Sequence, residues 1–457
     1  MKKLFTLGVA SLLAVTAGYA QEPTITILDG GVFYGGYMPE AISPHGTYIC
    51  GSTFAMAGFV SEWQKQQTKV FLEEDGSQFD DYGCDLPFVT ENGVALGFDN
   101  IGPLKIDINT QTIRRLYLSD RAQGVTDGLP AQMTEDGNII VGLAYHRTES
   151  QFLDPHNIDY QAAYWENGEC HLLPIPTEEE LGYYYLGTRA RCISADGSVI
   201  MGEIVDRLYT NPMVLWFRQP DGSYELDPIC MEYFSDIKYN DGSYKEFVEF
   251  SGKAMSSNGK WIVMLTRKAP EYNKPAYDPR LLSLFDIEKR KIVKTYIIDG
   301  ENGIYPETLL EVYYNGISDN GTIVGCCTST TGSNTSFIIY PDDNQPRLIA
   351  DVFDNIGQFA DFEDEGTNRV GAISADGRYL TGFGWGVDTQ YDRGIYIGYV
   401  LDMGKTDDDH SSVGKVEVAP EGPDEYFDVN GRRHNAPVKG INIVRSADGS
   451  TRKVLIP

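Results

Sequence analysis

The chain is short of positive charge: 37 Lys and Arg stand against 66 Asp and Glu, a formal net charge of −29 over 457 residues. Such a surplus repels phosphate backbones and anionic lipid heads, which excludes nucleic acid and membrane surfaces as principal partners. Histidine is scarce, with 6 residues, and no G-x-S-x-G elbow, H-E-x-x-H pair or phosphate-binding loop occurs. The 7 cysteines are odd in number and show no C-x-x-C spacing, so neither a zinc site nor a disulfide framework is announced. After residue 20 no run approaches the ~20 apolar residues that cross a bilayer. No metal and no cofactor are expected.

What is present starts at the N-terminus. Lys2 and Lys3 precede an apolar stretch from Leu4 to Ala17, and the small residues Gly18 and Ala20 follow. That is the order of a secretory signal peptide, expected over residues 1–20, with a run too short to span a membrane. An exported protein, extracellular or on the outer cell surface, is the expectation. An apolar content of 42% supplies a real core.

One phrase then returns seven times: "AISPHGTYICG", "FVTENGVALG", "QMTEDGNIIVG", "CISADGSVIMG", "AMSSNGKWIVM", "GISDNGTIVG" and "AISADGRYLTG". Its glycines are Gly46, Gly93, Gly137, Gly197, Gly259, Gly321 and Gly377. Three residues before each stands Ser or Thr, whose hydroxyl can bond backbone groups across a turn. Glycine supplies the positive φ of a bulged hairpin loop. An apolar residue precedes the Ser/Thr every time, from Ile42 to Ile373, so the hairpin buries one face. A second glycine follows in six copies, and Met264 replaces it in the fifth. Glycine within a strand marks close approach of another backbone, expected here from crowding between adjacent sheets. Cys50 and Cys192 fall in columns that other copies fill with small or apolar residues, and read as core hydrophobes.

A second hairpin follows each first one, as in "AAYWENGECHLLP" (162–174) and "MVLWFRQPDGSYELD" (213–227). Four strands repeated seven times predict an all-β fold: a seven-bladed β-propeller of four-stranded blades over 21–403. After the seventh copy no fourth strand is evident, while "TITILDG" (24–30) has no partner of its own. Together they would close the ring and leave no long edge open.

Alternating strand direction puts the repeated turn and the second hairpin's turn on one face. The long, variable connections then share the other face, where scaffolds carry function. These connections are rich in Tyr and acids, suited to a glycan or peptide ligand. Tyr145, His146, Tyr184, Arg189, Tyr314, Trp385 and Tyr391 are the candidate contacts. Two other classes remain open: a glycan hydrolase or lyase using paired carboxylates, and a scaffold that docks proteins. With 66 acids the sequence does not single out a catalytic pair. A monomer is expected.

Residues 404–424 are polar and charged and read as a linker. Residues 425–457 form short hairpins, and from Gly431 onward carry six Lys/Arg against one acid. "YFDVNGRR" followed by "GINIVRSADGSTRKVLIP" resembles the C-terminal sorting domains of type IX secretion substrates, with Asn442 where an aromatic is usual. The resemblance implies recognition by secretion machinery and delivery across an outer membrane. The repeats themselves are similar to those of TolB-like and WD-type propellers.

Overall fold

A computed structural model describes residues 22–28, 36–53, 57–71, 85–98, 102–120, 125, 127–146, 159–177, 179, 187–205, 212–227, 247–268, 280–296, 303–304, 310–328, 330, 334–353, 368–388, 393–404, 425–428, 433–434, 439–445 and 451–456. The expected signal peptide and residues 405–424 of the expected linker lie outside the described residues. The chain divides into two units, Met1–Asp407 and Asp408–Pro457.

All seven turns are built by the same bonds. Each glycine takes a φ between +67° and +98°, and its N–H donates to the carbonyl of the preceding Ser/Thr at 2.8–3.1 Å. The hydroxyl-bearing residues Ser43, Thr90, Thr134, Ser194, Ser256, Ser318 and Ser374 are buried throughout. Their oxygens accept the N–H of the returning strand, five residues on in Tyr48, Ile139, Val199, Trp261 and Tyr379. In the two copies with the shorter spacing the donor comes one residue earlier, from Val94 and Thr322. Asp136, Asp196 and Asp376 in turn accept the hydroxyl proton at 2.6–2.7 Å. Burial works against the charge on Asp196, but the bonds from Ser194 and Ser198 outweigh it and hold its pKa below the usual value.

Each turn opens an antiparallel sheet. In the first copy Tyr37–Ile42, Ile49–Thr53, Gly58–Glu62 and Gln67–Phe71 pair in chain order. The second (Asp85–Val89 to Thr112–Arg115), third (Asp127–Met133 to Glu169–Leu172), fourth (Gly187–Ile193 to Tyr224–Leu226) and fifth (Phe247–Met255 to Lys291–Tyr296) repeat the pattern. One parallel pair, Tyr160 beside Gly187, links the third sheet to the fourth. In the seventh copy Asn368–Ile373, Tyr379–Asp388 and Arg393–Asp402 are completed by Thr24–Leu28 from the N-terminus, antiparallel to Arg393–Asp402. The leftover strand thus supplies the missing outer position.

Six apolar clusters seal the joints between successive copies. One of them sets Ile42, Ile49 and Phe59 of the first copy against Ala372, Tyr379 and Val400 of the seventh, so the last sheet packs on the first. The turns form a closed belt as well. His45 N–H donates to Glu91 Oε2 at 2.9 Å, and Glu91 N–H to Glu135 Oε1 at 2.6 Å. Glu135 N–H reaches Ala195 O, Ala195 N–H reaches Ser257 O, and Asn258 N–H reaches Asp319 Oδ1. Asp319 N–H bonds Ala375 O, and Asp376 N–H returns to Pro44 O. A belt that visits every copy in order and ends where it began is the radial arrangement of a β-propeller.

Two expectations need correction. The second-glycine column is not required by crowding between sheets: a Cβ on Gly51, Gly97, Gly142, Gly202 or Gly382 would lie 2.0–2.3 Å from a carbonyl oxygen of the first strand of its own sheet. The cause is a bulge in that strand, which bends its backbone inward between Pro39 and Ala41, Pro130 and Gln132, Ala190 and Cys192, and Val370 and Ala372. In the fifth copy Met264 faces Gly252, so the glycine has moved to the opposite strand of the same pair. The sixth copy also departs from four strands. Its sheet holds Ile323–Thr328, Asn334–Ile339 and Arg347–Leu348, and its inner segment touches them through only the isolated bridges Glu311–Cys326 and Ile317–Ile323 among the described residues. Gly316 N–H closes a turn onto Tyr313 O at 2.9 Å, which breaks the strand at Tyr314 and Asn315.

The C-terminal unit is a four-stranded antiparallel sheet in the order Arg433–His434, Glu425–Asp428, Gly440–Arg445, Thr451–Ile456. Asn442 lies in an inner strand, in register with Asp428 and Val454.

Candidate functional site in the central channel

The apolar residue before each turn points at the ring axis. Ile42, Val89, Met133, Ile193, Met255, Ile317 and Ile373, one from every copy, line a single cavity of about 40 Å³. These seven side chains therefore gather as a collar about the axis near the turn face. The second-hairpin turns share that face: Tyr224 OH donates to Gly197 O, and Ile287 N–H to Lys260 O.

Beyond the collar the channel turns polar, because the bulge aims the residue two places earlier away from its own ladder. That column holds Glu40, Arg191, Lys253 and Asn315 in four copies, and Pro87, Ala131 and Gly371 in the other three. Contacts between copies that are not neighbours show these side chains reaching over the axis. Asn315 Nδ2 of the sixth copy donates to Pro87 O of the second at 2.9 Å. Arg191 Nη1 of the fourth donates to Tyr314 OH of the sixth at 2.5 Å, with its guanidinium 5.5 Å from the ring centre. The broken inner strand of the sixth copy is what presents Tyr314 and Asn315 there.

Two charged groups stand in this space. Glu203, from Val199–Val205, has no exposed surface. Its Oε1 accepts both Arg189 Nε and Arg191 Nη2, the latter at 2.5 Å. Arg191 is held in its charged form against the cost of burial by that carboxylate and by Tyr314. The second group joins the first and second copies, where Glu40 lies beside Asp85 and Ser52 Oγ donates to Glu40 Oε1 at 3.1 Å. Burial, then the charge and hydrogen bond of Asp85, push the Glu40 pKa up to about 8. Glu40 therefore keeps its proton at neutral pH.

Of the residues expected from the sequence, Tyr145, Arg189 and Tyr314 fall in one neighbourhood. Arg189 and Tyr314 are linked through Glu203 and Arg191, and Tyr145 stands opposite Tyr160 in register. Burial raises the Tyr160 pKa, Arg189 opposes the shift, and Glu203 and Tyr145 add to it. His146 pairs with Asp159 at the end of its strand. Trp385 packs edge-on against Tyr396 at 5.1 Å in the seventh copy. Tyr184 and Tyr391 lie outside the described residues. The sequence reading missed Glu40, Asp85, Arg191, Glu203 and Asn315, because it looked to the long connections and not to the inner strands. The signal was the polar column at Glu40, Arg191, Lys253 and Asn315, two places before the collar residue. Among the described residues no group of His, Cys, Asp and Glu could hold a metal ion.

No family model matches the chain, and no curated protein does. Solved structures do match. A prolyl endopeptidase aligns over 94% of this chain and 55% of its own at 10% identity, with a TM-score of 0.46. The oligogalacturonate lyase of Vibrio parahaemolyticus aligns over 84% of this chain and 97% of its own at 12% identity, with a TM-score of 0.48. The WD40 domain of SCAP from fission yeast aligns over 92% of each chain at 9% identity, with a TM-score of 0.38. The chain spans about half the length of the prolyl endopeptidase. These are likenesses of fold, from which neither ligand nor reaction follows.

Proposed function

We propose that the protein is a seven-bladed β-propeller that binds a glycan or peptide ligand in its central channel. Seven copies of the turn, one belt through all of them and one collar residue from each support the blade number. The observation that carries the binding reading is polar contact across the axis: Arg191 of the fourth copy meets Tyr314 of the sixth, and Asn315 of the sixth meets Pro87 of the second, with Arg189 held beside them through Glu203. Convergent polar groups in a concave site are the ordinary form of a ligand pocket. The test is a glycan array and a peptide library probed with the exported chain. A hit that disappears in Tyr314→Ala but persists in Lys260→Ala, on the turn face, supports the reading; blank arrays, or a hit indifferent to Tyr314, refute it.

A second reading has its own support. Glu40, beside Asp85, holds a proton at neutral pH that a glycan hydrolase or lyase on this scaffold would use as a general acid. Turnover of a bound glycan, abolished in Glu40→Gln with binding retained, would establish it. The protein is also proposed to be exported through residues 1–20 and addressed to the cell surface or medium by residues 425–457. N-terminal sequencing of the secreted form and removal of 425–457 check each in turn.

A further inference from the structure

The charges around Glu203 exceed what the fold requires. A carboxylate carried wholly out of water loses several kcal/mol, and apolar replacement of such ion groups is often neutral or stabilising. Stability alone therefore gives no reason for placing two guanidinium groups on one buried oxygen. The arrangement is also incomplete: Glu203 Oε2 and Arg191 Nε are buried without a hydrogen-bond partner. Two Arg against one Glu make the local charge positive in a chain of net charge −29. The two arginines differ in access, since the Arg189 side chain keeps 34% exposure and Arg191 only 16%. Arg189 spends its Nε on Glu203, and both terminal nitrogens of its fork have no protein partner among the described residues. Beside it, the Tyr314 hydroxyl accepts from Arg191 and keeps its own proton to give.

Resting on the channel reading above, we propose that the ligand bears a carboxylate, which docks on the terminal nitrogens of Arg189 while Glu203 and Arg191 hold that fork in place. Planar guanidinium matches the two oxygens of a carboxylate. A single surplus positive charge suits a monoanion better than a phosphate dianion. Glu203 and Arg191 are positioning residues, and Arg189 is the contact.

Titration calorimetry on the full chain with four probes tests this: a uronic-acid trisaccharide, its neutral methyl ester, a pentapeptide with a free C-terminal carboxylate, and the same peptide amidated. One acid is expected to bind at least about tenfold tighter than its neutral partner, as a charge-assisted fork implies. Whichever pair shows the preference identifies the source of the carboxylate. Arg189→Lys keeps the charge and loses the fork, so it should erase the preference for the acid over its neutral partner. A neutral probe that binds as tightly as its acid, or an acid preference that survives Arg189→Lys, overturns the assignment while the channel reading stands. No heat from any probe overturns both.

Discussion

Asn315 Nδ2 lies 2.9 Å from the carbonyl oxygen of Pro87, which is 228 positions away in the chain. The bond ties the sixth copy to the second over the axis, whereas every bond of the turn belt joins neighbours. Asn315 is also fixed from behind, because its carbonyl accepts Ile373 N–H at 2.9 Å. Asn315→Ala removes the donor and leaves the Pro87 oxygen unpaired in a partly buried site. The expected loss is about 1 kcal/mol, read from the midpoint of urea unfolding. An unchanged midpoint would mean that water replaces the amide without cost.

The N-terminal strand closes the ring, and its removal should do more than subtract its own contacts. Leu28 packs with Tyr37, Phe59 and Val400 at the joint between the first and seventh sheets. Without Thr24–Leu28, the ten-residue strand Arg393–Asp402 presents an unpaired edge. A chain lacking residues 21–28 is expected to associate with rising concentration in light scattering. Leu28→Ala, which keeps the ladder, should stay monomeric and lose about 2 kcal/mol. A deletion that remains monomeric and unfolds at the parent midpoint would argue against closure by this strand.

Cys50, Cys170, Cys192, Cys326 and Cys327 are buried thiols. Burial pushes the Cys192 thiol up to about 12, with nearby Arg191 opposing, and those of Cys170 and Cys326 up to about 11. Thiolate, not thiol, is the nucleophile. With Cys84 and Cys230 replaced by Ser, a disulfide reagent at pH 8 should titrate almost nothing in the native protein and all 5 remaining thiols in denaturant. Rapid native labelling of Cys192 would show that the joint between the fourth and fifth sheets opens readily.

Much of the ring was legible because each column of the repeat is local chemistry. A buried hydroxyl three residues before a glycine with positive φ fixes one turn, and seven such turns fix the order of the sheets. The unpaired Thr24–Leu28 was legible too, since a strand without a hairpin partner needs one elsewhere. The channel was not. Which way Arg191 faces depends on a bulge between Ala190 and Cys192, and strand alternation alone assigns it no side. Glu203 sits in a strand whose other described residues are mostly apolar, and its complete burial follows from two arginines on the facing strand. Tyr314 and Asn315 reach the axis through a turn that replaces a strand, which no pattern of periodicity announces.

The carboxyl pair gives a pH dependence of definite sign. Glu40 has its folded-state pKa raised from 4.5 to about 8, by burial first and then by the charge and hydrogen bond of Asp85. Glu135, on the turn belt, is raised to about 7, again by burial first, with the Glu91 N–H bond opposing and the Glu91 charge adding. Between the unfolded and folded values the native chain holds protons that the unfolded chain has released. Stability contributed by these groups is thus complete below about pH 4.5 and is lost as pH rises through 7 and 8. The melting temperature should fall between pH 5 and pH 9. Glu40→Gln keeps the shape and a donor toward Asp85 but cannot ionise, so its melting temperature should decline less from about pH 4.5 to 8, and the fall between about pH 7 and 8 should disappear. Glu135→Gln should decline less between about pH 4.5 and 7 and keep the fall between about 7 and 8. Should the Glu40→Gln profile run parallel to that of the parent, Glu40 does not keep its proton at neutral pH in the folded state, and the general-acid reading of the channel loses its support.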